Sequence, residues 1–330
     1  MTTAQLPSFN STIVRFMARH PIAPALRRGV QRVGMRLASA VAPRFAVRQA
    51  MDRFMTPPRF PRPEAEHALL DNATALDIAT PLGDIRAWRF GEPTAPVILF
   101  SHGWGGRGAQ FRSFVPALLD AGYQVILFDH IGHGQSAGRE SSLVDFWRGL
   151  EAALKALDAQ GLVLAGLVGH SLGAAAVASA LRGMPPGQTQ GLRAVLIAPP
   201  SSVIRYSKFF ARYLGISERI RDAMQWRFEQ RTGVAWQEFE LPHSVDRIAA
   251  KALVIHDRDD RDVGIDSGLA IARAWPDARF HETRRLGHNR ILRDREVIQH
   301  VVDFLGGRVE FLRPPASGER SPYREPAPLY

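Results

Sequence analysis

Gly169-His170-Ser171-Leu172-Gly173 joins two runs of very different composition. Before it stands Leu162-Val163-Leu164-Ala165-Gly166-Leu167-Val168, and after it Ala174-Ala175-Ala176-Val177-Ala178-Ser179-Ala180-Leu181. The first run has the length and apolar continuity of a buried strand. The second is a strong helix former whose small side chains allow close packing on a sheet. A serine flanked by glycines between such runs marks a tight strand-to-helix turn that lifts its hydroxyl clear of the sheet, with no Cβ on either side to clash. A bare G-x-S-x-G arises by chance; the strand before and the helix after make Ser171 a candidate nucleophile.

Working outward, the chain alternates strand and helix. Ala75–Ala79 and Asp84–Phe90 flank the turn Pro81-Leu82-Gly83 and predict a hairpin. Apolar strands are expected at Pro96–Phe100, Gln124–Phe128, Leu162–Val168, Arg193–Ile197, Ala252–His256 and Ala278–Glu282. Helices are expected near Gln110–Ala121, Ser142–Ala159, Leu172–Arg182, Ile265–Ala274 and Arg295–Phe304. Short apolar strands separated by helices predict an α/β fold with a largely parallel sheet covered on both faces. Residues 200–247 interrupt the alternation with eight aromatics, among them Tyr206, Phe209, Phe210 and Trp226. They predict a small helical lid whose aromatic residues line an apolar substrate pocket, because the insertion follows a strand whose carboxyl end faces the crevice.

The net charge of +10 belongs to one segment. Residues 1–62 hold eleven arginines and a single acid, Asp52, and the other 268 residues balance 31 bases against 31 acids. With the charge confined to an arm and no recognition motif beside it, nucleic-acid binding is not expected. Within the arm, Leu26, Val30, Val33, Leu37 and Val41 fall within roughly 80° on a helical wheel, with breaks expected near Pro21, Pro24 and Pro43. An amphipathic, arginine-rich helix reads as peripheral membrane contact through residues 11–51, as an extra layer packed on the body, or as a targeting peptide. No apolar run reaches the ~18 residues of a membrane span, and the chain is expected in the cytoplasm, with or without such membrane association. The expected organisation is a basic arm and Pro-rich linker over 1–63, an α/β domain over 64–306 carrying the insertion, and a flexible tail over 307–330. The chain has no cysteine, which excludes disulfides and thiolate metal sites.

A serine hydroxyl needs a base, and the base an orienting acid. For this turn the order is Ser, then Asp or Glu, then His. Asp257-Arg258-Asp259-Asp260-Arg261-Asp262 follows one late strand, and Leu286-Gly287-His288 the next. His288 is the candidate base and Asp260 the acid, with Asp259 and Asp257 as rivals. The oxyanion of an acyl-transfer intermediate needs two donors. The N–H of Leu172 supplies one, and that of Trp104, in Ser101-His102-Gly103-Trp104-Gly105-Gly106, the other. No Lys-Ser/Thr follows that glycine-rich turn, so it is not a phosphate cradle. No metal site is read from the sequence.

These residues together resemble the α/β-hydrolase fold over about 74–306. His102-Gly103-Trp104-Gly105 is similar to that family's oxyanion motif. Asp129-His130-Ile131-Gly132-His133-Gly134-Gln135-Ser136-Ala137-Gly138 is similar to a structural loop of its monoacylglycerol-lipase and lysophospholipase-like members. The resemblance implies an eight-stranded, mostly parallel sheet, a lid after the sixth strand, and hydrolysis without a cofactor. The first functional reading is a serine carboxylic-ester hydrolase acting on a small-molecule apolar acyl ester. A prolyl-type aminopeptidase, thioesterase or acyltransferase would use the same triad. A non-catalytic binding relative is the third alternative.

Overall fold

The computed structural model describes residues 22–308, with side chains from residue 29 onward. The start of the predicted arm and the tail from residue 309 lie outside the described residues. Contacts divide the chain into two compact units. One contains 22–52 with Ser207–Arg231, and the other Arg53–Tyr206 with 232–308.

The larger unit is built on eight strands: β1 (Thr74–Ile78), β2 (Ile85–Phe90), β3 (Val97–Ser101), β4 (Gln124–Phe128), β5 (Leu164–His170), β6 (Arg193–Ile197), β7 (Lys251–Asp257) and β8 (Ala278–Thr283). Their order is β1-β2-β4-β3-β5-β6-β7-β8, antiparallel across β1–β2 and β2–β4 and parallel from β4 onward. Parallel strands need crossovers, and the apolar runs are buried on both sides as that demands. Ile98, Phe100, Val125, Leu127, Val168, Val195, Ile197, Leu253 and Ile255 share one core cluster with residues of the Val115–Asp120 and Arg295–Leu305 helices. Their neighbours Leu99, Ile126, Leu167, Leu196 and Val254 are equally buried and point to the opposite face, because side chains alternate along a strand.

Boundaries moved where a local constraint overrode the apolar run. β5 begins two residues later than its apolar run and continues through His170, which pairs with Ile197, so that the strand runs directly into Ser171. The helix expected near Gln110–Ala121 is a 3₁₀ turn, Gly108–Phe111, followed by a helix at Val115–Asp120. Pro116 stands at the second position of that helix, where its missing N–H leaves no bond unmade.

In the smaller unit, the helix Ile22–Val41 runs through Pro24, where a break was expected. Pro24 is its third residue, and an N–H there would have no acceptor inside the helix. The interruption falls instead at Ala42, before the helix Pro43–Met55. The insertion forms helices Val203–Leu214 and Glu218–Thr232, joined through Gly215 at φ +76°. A Cβ at Gly215 would stand 3.0 Å from the carbonyl oxygen of Arg32, so the arm's backbone lies directly on this turn.

Residues 56–63 have no regular structure but are tied to the larger unit. Arg59 Nη2 donates to the carbonyl of Gly138 (2.8 Å), Arg107 donates to the carbonyls of Phe60 and Pro61, and Arg62 faces Asp129 at 3.4 Å. The predicted linker is a strap.

Candidate active site

Ser171 has φ 51° and ψ −123°, a left-handed conformation that an L residue holds only where its surroundings impose it. Its N–H donates to Ile197 O at the end of β6 (2.9 Å), and its carbonyl accepts from Ala174 N (2.9 Å). Close packing completes the clamp. A Cβ at Gly169 would lie 2.5 Å from Ala174 Cα, and one at Gly173 would run into the Ser101 and His102 carbonyls. Leu172 opens the Leu172–Gly183 helix, where the first N–H groups have no intrahelical acceptor.

Beyond β7 and β8, two loops bring Asp260 to His288. Asp260 Oδ2 accepts from His288 Nδ1 at 2.7 Å, and Oδ1 accepts from the N–H groups of Asp262 (2.8 Å) and Val263 (3.0 Å). Burial works to raise the Asp260 pKa. The His288 hydrogen bond and charge, with the Val263 N–H, outweigh it and hold the carboxyl below its ordinary value. The rival acids have other work. Asp257 accepts from Asp259 N, Thr283 Oγ1 and Leu286 N, and Asp259 accepts from Arg285 N. His170 donates through Nε2 to the carbonyl of His288 (2.9 Å), and its ring lies 4.7 Å from the His288 ring. Burial, then the neighbouring His288, lowers its pKa to about 3.

The glycine-rich turn after β3 lies beside Ser171, because β3 and β5 are neighbours with Ser101 opposite Gly169. A Cβ at Gly103 would stand 3.0 Å from Ser171 Cβ. Buried histidines hold this turn. His102 Nε2 accepts from His130 N, which leaves its Nδ1–H to donate to Gly103 O (2.8 Å). His133 Nε2 accepts from Gly105 N (3.0 Å), and its Nδ1–H donates to Ile131 O. Burial lowers His102 to about 4 and His133 to about 3, so both stay neutral and keep these tautomers near pH 7. The Trp104 ring packs edge-on against His133 at 5.2 Å.

Residues 92–286, more than half of the chain, match the family described as serine aminopeptidase, S33. This chain belongs to that α/β-hydrolase family. It is 30% identical to a 2-hydroxy-6-oxononadienedioate/2-hydroxy-6-oxononatrienedioate hydrolase of Paraburkholderia phymatum, over 64% of this chain and 86% of the relative. It is 27% identical to a lysophosphatidylserine lipase of Xenopus tropicalis, over 64% of this chain and 58% of that one. An esterase of Pyrococcus furiosus shares the fold at a TM-score of 0.57 and 20% identity, with 77% of this chain and 98% of that chain covered. The protein is therefore a hydrolase, and its eight-stranded sheet is that of the α/β-hydrolases.

Within this α/β-hydrolase, Ser171, Leu172, Trp104, Asp260 and His288 all belong to the larger unit. Tyr206 belongs there too, with its ring 6.0 Å from Phe54 and its phenol pKa raised by desolvation and by the Asp262 carboxylate. Phe209, Phe210 and Trp226 belong to the smaller unit, where Phe210 is buried and the other two are exposed. Asp260, Asp262 and His288 offer ligand atoms within 4.8 Å of one another. Both Asp260 oxygens already accept N–H donors. The residue-by-residue reading missed two supports, His170 behind His288 and the strap, where Pro58 lies against Gly105. Only the run of prolines and arginines at 57–63 hinted at the strap; His170 left no signal beyond its place beside Ser171.

Proposed function

We propose that this α/β-hydrolase is a serine carboxylic-ester hydrolase that cleaves apolar acyl esters through an acyl-enzyme. The observation that carries the reading is the 2.7 Å hydrogen bond from His288 to Asp260 at the sheet edge where Ser171 is held at φ 51°. Asp260 keeps Nδ1 protonated, so Nε2 is free to take the Ser171 proton as Oγ attacks the ester carbonyl. The N–H groups of Leu172 and Trp104 receive the oxyanion. Collapse breaks the ester C–O bond, and the imidazolium returns its proton to the leaving alkoxide. Water then attacks the acyl-enzyme by the same proton path, releasing the acid and restoring Ser171.

The family's description favours an amide bond as the second reading. A peptidase that selects a free amine needs a carboxylate to receive it, and five of the six acids of the insertion are engaged. Glu218 and Asp222 pair with Arg221, Glu229 accepts from Gln225, Glu238 pairs with Arg182, and Glu240 accepts from Ser202. This supports ester over aminopeptidase chemistry. The test is turnover of p-nitrophenyl esters from acetate to palmitate beside proline p-nitroanilide, for the wild type and Ser171→Ala. Ester turnover lost in Ser171→Ala is expected. Cleavage of the anilide with no ester turnover would overturn the reading.

A further inference from the structure

The arm's apolar stripe faces water. Val30, Val33, Leu37 and Val41 are 66%, 55%, 62% and 81% exposed, and Phe45 at the start of the next helix is 53% exposed. Among the described side chains of this helix, from residue 29 on, the buried one is Met35, at 5%, roughly 160° around the wheel from the centre of the stripe. A helix that buries one methionine and turns a row of valines and leucine outward is patterned for a second apolar phase.

Beside the stripe lies a cavity of about 390 Å³ within the same unit, lined by Arg32, Arg36, Ser39, Arg212, Gly215 and Ser217, among others. No acid lines it, and among the described residues none of its three arginines shares an ion pair. Arg36 borders the stripe on the wheel, between the apolar row and Arg32. Residues 1–51 contain no acid at all. Phe209, Tyr213 and Trp226 of the same unit are exposed as well, and aromatic rings of this kind favour the water–lipid boundary.

We propose that this face of the smaller unit docks on an anionic phospholipid bilayer. The stripe enters the boundary between headgroups and acyl chains, and the arginine-lined cavity receives a headgroup phosphate. Each arginine near an anionic surface strengthens binding roughly fivefold, and burying the exposed aliphatic row in the bilayer supplies the salt-insensitive remainder.

The full-length protein is sedimented with phosphatidylcholine vesicles that contain or lack phosphatidylglycerol. Wild type is expected to pellet with the anionic vesicles at least roughly tenfold more strongly than with the neutral ones, and less so as salt rises from about 0.1 to about 0.5 M. Val33→Asp/Leu37→Asp is expected to lower partitioning roughly tenfold or more, and Arg32→Glu/Arg36→Glu likewise. Both pairs stand on exposed positions, so melting temperatures stay within a few degrees of wild type. Wild type remaining in the supernatant with both vesicles, or either double variant pelleting like wild type, would overturn the proposal. So would light scattering that shows Val33→Asp/Leu37→Asp converting an oligomer to a monomer with no change in vesicle binding, because the stripe would then face a second copy of this chain. The readout is binding and does not depend on the ester reading.

Discussion

Replacing Asp260 by Asn removes one charge while keeping the side chain's shape, and the surroundings dictate which way the amide sits. Oδ1 faces two backbone donors, the N–H groups of Asp262 and Val263 at 2.8 and 3.0 Å. An amide NH₂ placed there would oppose both, so the Asn oxygen stays and its NH₂ turns toward His288 Nδ1. The imidazole then presents Nδ1 as acceptor and carries its proton on Nε2, the nitrogen that must accept from Ser171. Two losses add. A charge-assisted hydrogen bond worth about 1.5–3 kcal/mol disappears, and general-base catalysis worth roughly 10²–10⁴-fold is blocked by the wrong tautomer. Together they remove about 4–8 kcal/mol of transition-state stabilisation, a fall in kcat of roughly 10³–10⁶-fold. The assay is kcat and KM on the preferred p-nitrophenyl ester across pH, with circular dichroism melting beside it. KM and the melt are expected to change little, and Asp259→Asn to cost less than about threefold. An Asp260→Asn enzyme within about tenfold of wild type and still folded would refute the geometry-based assignment, as would an equal loss from Asp259→Asn.

Three further outcomes follow from packing and charge. Gly173→Ala is expected to destabilise by about 3 kcal/mol or more, read from urea midpoints, because its Cβ meets backbone that cannot yield. Even the third-nearest atom, the Ser101 carbonyl carbon, stands at 2.6 Å. Arg62→Ala leaves the buried Asp129 without its cation and removes a guanidinium 5.3 Å over Trp88. A loss of about 3 kcal/mol is expected there, against less than about 1 for Arg86→Ala at the exposed pair with Asp77; equal losses would contradict the burial argument. Stability is expected to fall from about pH 6.5 toward pH 4, because His102, His133 and His170 are held at about 4, 3 and 3 against an unfolded value of 6.5. The unfolded chain takes up protons in that window and the folded chain does not, which costs roughly 2 kcal/mol per histidine at pH 5. The depressed Asp260 adds its own loss only below its ordinary range, under about pH 4. An unchanged melting temperature between pH 7 and pH 5 would show that these imidazoles are not buried neutral.

The turn at Ser171 and the strand–helix alternation were legible because each is local. A buried parallel strand must be apolar throughout, a strained turn must carry glycines, and a strand end must precede a functional loop. The expected hairpin, Gln124–Phe128, Arg193–Ile197 and Ile265–Ala274 appear at or within a residue or two of their sequence positions for that reason. Relations between distant segments left no such local mark. Four acids crowd 257–262, and only the fold shows that Asp260 turns its carboxylate to His288 while Asp257 and Asp259 secure backbone. The stretch 56–63 has the composition of a free linker, yet its arginines find the carbonyls of Gly132 and Gly138 and the Asp129 carboxylate, more than sixty residues away. The arm's periodicity was plain from its residues, but which side meets protein was not. A helical wheel records that an apolar row exists, while the packing of Met35 and the backbone contact of Arg32 with Gly215 decide that this row is left facing outward. Local propensity is set by neighbours along the chain, and the partner of an exposed or buried face by the three-dimensional arrangement alone.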